Sequence, residues 1–184
     1  TTETNGATIT YSSDGKTYSS TKPTYTDVGE YITYYKITAE DYKAVSGSLT
    51  VKINRANGNL MLTPTSATYG ATGTFTVSKN ESGGALTVNS SNINAAAATI
   101  SGNTVTVTPQ IITIPETVNI TVTSVATENH TAATATHVAK ILGTISYTAT
   151  KYEGEYDGRA HGITVTTETE GVTITYPSDG KIYS

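Results

Sequence analysis

Apolar and polar residues alternate along most of this chain. The pattern is plain in ATITY (7–11), YITYYKIT (31–38), SLTVKI (48–53) and GTFTVS (73–78). It continues through ALTVN (85–89), NTVTVT (103–108), VNITVT (118–123) and TATHVAKI (134–141). TISYTAT (144–150), GITVT (162–166) and VTITY (172–176) complete it. Alternation with a period of two predicts strands with one buried and one wet face. The intervals hold SSDGK, ESGG, SGN, YDG and PSDGK. Their Asp-Gly and Gly-Asn pairs supply the positive φ of tight hairpins. One phrase, NINAAAATI (92–100), could wind a turn of helix or enter a strand as a loop. Short strands at even spacing, with no helix between them, predict sandwiches rather than βαβ units.

The chain also repeats itself. TTETNGATITYSSDGKTYS (1–19) returns as TTETEGVTITYPSDGKIYS (166–184), a displacement of 165 residues with 15 of 19 positions identical. The sequence is therefore a window, slightly longer than one period, on a tandem array. A fainter echo lies 88 residues apart. Glu40, Ala44, Lys52 and Ile53 correspond to Glu128, Ala132, Lys140 and Ile141. Each set spans a strand, a turn of the form E-D/N-Y/H-x-A and a closing strand. One period thus holds a module of 88 residues and another of 77. Residues 55–142 are expected to form one complete sandwich. Residues 1–54 should be the later part of a second type of module, and residues 143–184 the earlier part of its next copy.

Composition supports an all-β fold: 40 Thr and 13 Tyr, both strand formers, with neither Cys nor Trp. Without Cys, no disulfide holds the modules. A net charge of −4, with no basic run longer than two residues, argues against nucleic acid and against an anionic membrane surface. No stretch approaches the roughly 18 apolar residues of a membrane span. The sequons at Asn80, Asn89, Asn119 and Asn129 are what a Thr-, Ser- and Asn-rich chain produces by chance, and they read as unglycosylated surface positions.

Two phrases carry a resemblance. YEGEYDGRAHGITV (152–165), followed by YPSDGKIYS, resembles the opening of the bacterial YDG/MBG-type immunoglobulin-like repeat. PTYTDVGEYITYYKITAEDYKAVSGSLTVKI (23–53) resembles its close. The middle, from LMLTPTSATYG to AKI, is similar to other bacterial immunoglobulin-like repeats. The resemblance implies tandem immunoglobulin-like sandwiches, one complete and one split between the two chain ends. It also implies a place in large extracellular proteins, as stalks of bacterial surface adhesins or as decoration of phage virions.

Candidate chemistry is sparse. Asp27 and Gly29 should turn the chain, with Tyr25 and Tyr31 packing so that their hydroxyls reach backbone. Asp157-Gly158 reads as a hairpin tip, with His161 at the start of the next strand. His130, His137 and His161 show no metal-ligand spacing, and His130, aligned with Tyr42, reads as a turn aromatic. Glu153, Glu155 and Asp157 cluster without forming a calcium loop, and TTETE puts Glu168 and Glu170 on one wet strand face. No G-x-S-x-G elbow occurs. Lys52 and Lys140 are the nominal partners for an isopeptide crosslink, but alternation in V-K-I turns each outward. Of the adjacent Tyr34 and Tyr35 one should face out, where tyrosine could stack on a sugar.

No catalytic, cofactor-binding or metal residues are assigned, and an enzyme is not expected. The expected role is a structural spacer on an extracellular surface. A second expectation follows from the split module: residues 143–184 of one copy complete residues 1–54 of the next, head to tail through sheet edges. A glycan or a host surface protein is the other candidate partner.

Overall fold

The computed structural model describes residues 6–176, and the chain is all-β, with no helix among them. The PSDGK turn (177–181) lies outside the described residues.

Strands β1 (Thr8–Ser12), β2 (Gly29–Thr38) and β3 (Val45–Ile53) form an antiparallel sheet in that order. β1 ends in the SSDGK turn. Asp14 Oδ1 accepts from the amides of Lys16 and Thr17, both at 2.8 Å, and from the Ser12 hydroxyl at 2.6 Å. Gly15 follows with φ +72°. These donors, the Ser12 hydroxyl foremost, hold the Asp14 carboxyl well below the usual carboxylate range.

Eight strands build the middle unit: β4 (Leu60–Thr63), β5 (Ser66–Tyr69), β6 (Gly73–Asn80), β7 (Leu86–Ser90), β8 (Ala96–Ser101), β9 (Thr104–Pro109), β10 (Glu116–Ser124) and β11 (Ala133–Ile141). They make two four-stranded sheets, β5-β11-β10-β7 and β4-β6-β9-β8. The chain crosses between sheets at Thr63-Pro64-Thr65, after which β5 runs parallel to β11. Between the sheets Phe75, Val105, Val107, Ile120, Val122 and Ile141 are excluded from water. The hydrophobic core of the described residues lies wholly within 60–141. At roughly 1.5–3 kcal/mol for each large side chain removed from water, this core accounts for the stability of the middle unit.

The chain then forms a separate antiparallel pair, β12 (Tyr147–Thr150) and β13 (Thr164–Thr167). Side chains from Ile145 to Ile163 stay exposed along this pair and its connecting loop.

Several expectations change. NINAAAATI resolves into a turn, with the amides of Ala95 and Ala96 bonded to Asn92 O, followed by strand β8. β4 and β5 occur where no strand is expected. VTITY (172–176) is not a strand, and no strand among the described residues lies beside it to pair with. Glu168 and Glu170 lie beyond the end of β13, in a turn rather than on a strand face, and both are exposed. Asp157-Gly158 is a turn inside a long β12–β13 connection (151–163), not a tight tip, and His161 precedes β13 by three positions.

The 88-residue echo holds along β3 and β11. In the strand before it, the register slips. Ile53 pairs with Gly29, whereas its counterpart Ile141 pairs with Glu116 rather than Thr117. A one-residue slip exchanges the faces of a strand. In β10 Val118, Ile120 and Val122 therefore face the core, although their counterparts in β2 lie on its other face.

Candidate functional site: an open sheet face and a module joint

The polar side chains that could carry chemistry are mostly used by the fold. His137 is fully buried and stacks on Phe75 with ring centroids 4.1 Å apart. Its Nδ1 lies 2.8 Å from the Pro64 carbonyl, which can only accept, so Nδ1 carries the proton. Nε2 then accepts from the Tyr69 hydroxyl at 3.0 Å. Burial pushes the Tyr69 hydroxyl up from its ordinary value, which keeps it a donor. Sequence reading missed this side chain as core, although T-H-V-A-K-I puts His137 in phase with Ala139 and Ile141.

The buried Ser82 and Ser124 hydroxyls both donate to Asn80 Oδ1, at 3.0 and 2.8 Å, while Asn80 Nδ2 donates to Gly84 O at 3.0 Å. This is a clamp closing the β6–β7 turn, with no base beside either serine. Asn80, read from the sequence as a surface sequon, is half-buried with its amide nitrogen engaged. The Asn129 amide is engaged as well, whereas Asn89 and Asn119 are exposed.

In the YDG loop, His161 stacks flat on Tyr152 at 3.8 Å and its Nε2 lies 2.7 Å from Asp157 Oδ1. That hydrogen bond, with the Arg159 amide, holds the Asp157 carboxyl below its ordinary value. Glu153 pairs instead with Lys151. No three His, Asp or Glu side chains converge among the described residues. Lys52 is exposed and pairs with Glu30 at 3.0 Å, and Lys140 is exposed, so neither has the buried setting a crosslink needs.

What the fold leaves open is a surface. Residues opposite one another in an antiparallel ladder share a face. Ile9 pairs with Ile37, Tyr11 with Tyr35, and Thr33 with Leu49, so these six share one side of the β1–β3 sheet, with Thr33 buried beneath the Tyr25 hydroxyl. Together with Pro23 and Val51 they line an open groove of about 550 Å³. Leu49 is 69 % exposed. Neither Tyr34 nor Tyr35 is fully out: both are half-buried, Tyr34 over Gly15 and Tyr35 over Gly47. At one end Tyr25 stacks on Tyr31 at 4.2 Å; Tyr31 Oη donates to Asp27 O as expected, but Tyr25 Oη reaches the Thr33 hydroxyl rather than backbone.

The middle unit shows what such a sheet normally carries. Its β7, β10 and β11 are arranged like β1, β2 and β3, and their inner face is covered by the sheet β4-β6-β9-β8. The β1–β3 sheet has no covering layer among the described residues. The β12–β13 pair has the matching deficit. Ala149 lies opposite Val165, and Tyr147 shares their face by alternation, as Ile145 and Ile163 do if it continues. Tyr147 is 68 % and Ile163 61 % exposed.

A joint ties the first sheet to the middle unit. Ala56 bonds to the 128–131 turn on both sides, its amide to Asn129 O and its carbonyl to the Thr131 amide, each at 2.9 Å. Asn129 Oδ1 accepts from the Val28 amide at 2.9 Å and its Nδ2 donates to Asp27 Oδ1 at 3.0 Å. Arg55 Nε donates to Glu128 O. Gly58 is required here, because a Cβ would lie 2.3 Å from Thr131 O. His130 sits in this turn, half-buried, as the alignment with Tyr42 suggests. The segment that carries β12 and β13 leaves from the opposite end of β10, where the Thr144 amide bonds to Ile112 O and Gly143 lies against Thr113 and Pro115. No model of a known protein family and no curated protein matches this chain.

Proposed function

We propose that this chain is a non-catalytic structural repeat of an extracellular surface protein, a spacer built of immunoglobulin-like sandwiches in tandem. In this reading residues 55–142 are one whole module, and residues 143–184 and 1–54 are complementary parts of the second kind. One observation carries the proposal: the two half-modules leave the middle sandwich at opposite ends of β10. That strand runs nine residues from Glu116 to Ser124. At ~3.3 Å per residue the two exits are about 30 Å apart, the spacing of an end-to-end rod. The joint at Asn129 adds side-chain clamps to a backbone bridge, which suits a stiff connection better than a flexible tether.

Small-angle scattering on proteins carrying one, two and three 165-residue periods tests the reading. A spacer gains a constant increment of maximum dimension per period, about 60 Å or more for two modules of this length. A dimension that levels off as periods are added rejects it.

A further inference from the structure

We propose that Asn57-Gly58 is a self-modification site at the joint. The Gly58 nitrogen attacks the Asn57 side chain when the joint opens, and the isoaspartate that results leaves the joint permanently loosened.

Three observations lead to it. Asn57 is exposed in the connection between β3 and β4, so water reaches its side-chain amide. The residue after it is glycine, so no side chain shields the attacking nitrogen on that flank. The joint itself requires that glycine, because a Cβ at Gly58 would lie 2.3 Å from Thr131 O. The close approach to Thr131 and the vulnerability of Asn57 thus have one cause. Finally, Asn57 is flanked by two contacts to a single residue. The Thr131 amide donates to the Ala56 carbonyl at 2.9 Å, and the Gly58 amide donates to the Thr131 hydroxyl at 3.0 Å. These contacts fix the length of backbone between them.

The reaction needs only water. The Gly58 amide gives its proton to solvent, its nitrogen bonds Asn57 Cγ, and the Cγ–Nδ2 bond breaks with release of ammonia. Water then reopens the five-membered imide at either carbonyl. Breaking the new bond leaves aspartate. Breaking the old peptide bond leaves isoaspartate, with the main chain running through Cβ and Cγ. While Gly58 donates to Thr131 Oγ1, its proton is held and its nitrogen is not free to attack. Conversion therefore runs from the open joint, at a rate set by the open fraction. Isoaspartate adds one carbon between the two Thr131 contacts, about 1.5 Å of chain, so both can no longer form as they do now. The change does not revert on closing.

Peptide mapping of the full 184-residue protein after storage at mildly alkaline pH tests this, with fragmentation that separates isoaspartate from aspartate. Isoaspartate is expected at position 57. Thr131→Val removes the acceptor of the Gly58 amide and is expected to speed conversion roughly two- to tenfold. Asn129→Ala opens the joint by another route and is expected to speed it about 5–30-fold. Asn5-Gly6, the chain's other Asn-Gly pair, is the internal reference for solution conditions and is expected to keep its rate. Asn57→Gln is expected to stay unmodified, with amide exchange at Val28 as in the parent chain, which also shows that it folds. In the isoaspartate fraction, exchange at Val28 is expected to quicken at least fivefold while Ile120 and Ile141 keep their protection. Asn57→Asp adds the charge without the extra carbon and is expected to leave Val28 unchanged. An Asn57 that stays intact under conditions that convert a synthetic peptide of residues 53–62 overturns the site. Equal rates in the parent chain, Thr131→Val and Asn129→Ala overturn the gating. An isoaspartate fraction with unchanged Val28 exchange, or an Asn57→Asp chain as loose as that fraction, overturns the loosening by added backbone.

Discussion

Asn129→Ala isolates the joint between the first sheet and the middle sandwich. The substitution removes the acceptor of the Val28 amide at 2.9 Å and the donor to Asp27 Oδ1 at 3.0 Å. The backbone bridge of Ala56 with Asn129 and Thr131 stays, because it uses no side chain. A neutral hydrogen bond contributes about 0.5–1.5 kcal/mol net, and one to a charged group about 1.5–3 kcal/mol. The Asp27 contact is exposed, so water replaces most of it, and the Val28 contact is half-buried, so water replaces some. The expected loss is about 1–2 kcal/mol, confined to the joint. A loss of that size raises the open fraction about 5–30-fold. Amide hydrogen exchange at Val28 should quicken by that factor, while Ile120 and Ile141, in the core ladders, keep their protection. An unchanged Val28 rate would refute the view that Asn129 fastens the joint. Faster exchange throughout β10 and β11 would refute its confinement there.

Three further outcomes follow from the same structure. Tyr69→Phe leaves the buried Nε2 of His137 without a partner and should destabilise the middle sandwich by about 1–3 kcal/mol, read by urea unfolding of residues 55–142 within the full chain. Gly58→Ala forces a Cβ to within 2.3 Å of Thr131 O, so Val28 protection should fall as in Asn129→Ala; Gly84→Ala, with Val125 O at 2.0 Å, should instead lower the melting temperature of the core. Asp157 has a depressed carboxyl value in the folded loop, so its contribution to loop order is present above about pH 4, the ordinary carboxylate value, and is lost as pH falls through the depressed one. Ring shifts of Tyr152 and His161 in NMR should lose their stacking signature in that acid range, and rings still stacked when Asp157 is protonated would show that the carboxylate does not order the loop.

Alternation and turn chemistry made the fold class legible. Alternation of apolar residues with polar ones, mostly threonine, left one arrangement for β6, β9 and β10, and Asp-Gly or Gly-Asn marked the turns around Gly15, Gly102 and Gly158. β4 and β5 were not legible, because L-M-L-T and S-A-T-Y are four residues each and straddle a proline corner between sheets. The joint was half legible. The echo between Asp41 and Asn129 pointed to a shared turn, but not to its side chain reaching back to Asp27 and Val28, which depends on how two units meet. The open groove was legible only as an expectation of missing strands; its lining came from the ladder registers.

Identical sequence in two settings separates local preference from tertiary cause. Thr-Ile-Thr-Tyr is a strand at 8–11 and not at 173–176, so its β propensity alone does not make it one. The difference is β2, which offers ladder partners from Lys36 to Thr38 and the apolar neighbours Tyr35 and Ile37. A segment with strand preference and no edge to join is a ligand for any equivalent edge, and the nearest equivalent in chemistry is the one its own repeat already uses. That reasoning predicts a competition. A synthetic peptide of residues 166–176 should bind the β1–β3 sheet in competition with β1, and should bind less when Thr8→Cys and Thr38→Cys, on facing positions of the ladder, are oxidised to a disulfide. A peptide with Ile174→Asp places a charge opposite Ile37 on the apolar face and should lose that effect. If both peptides bind alike, the apolar face of the segment does not select the β2 edge.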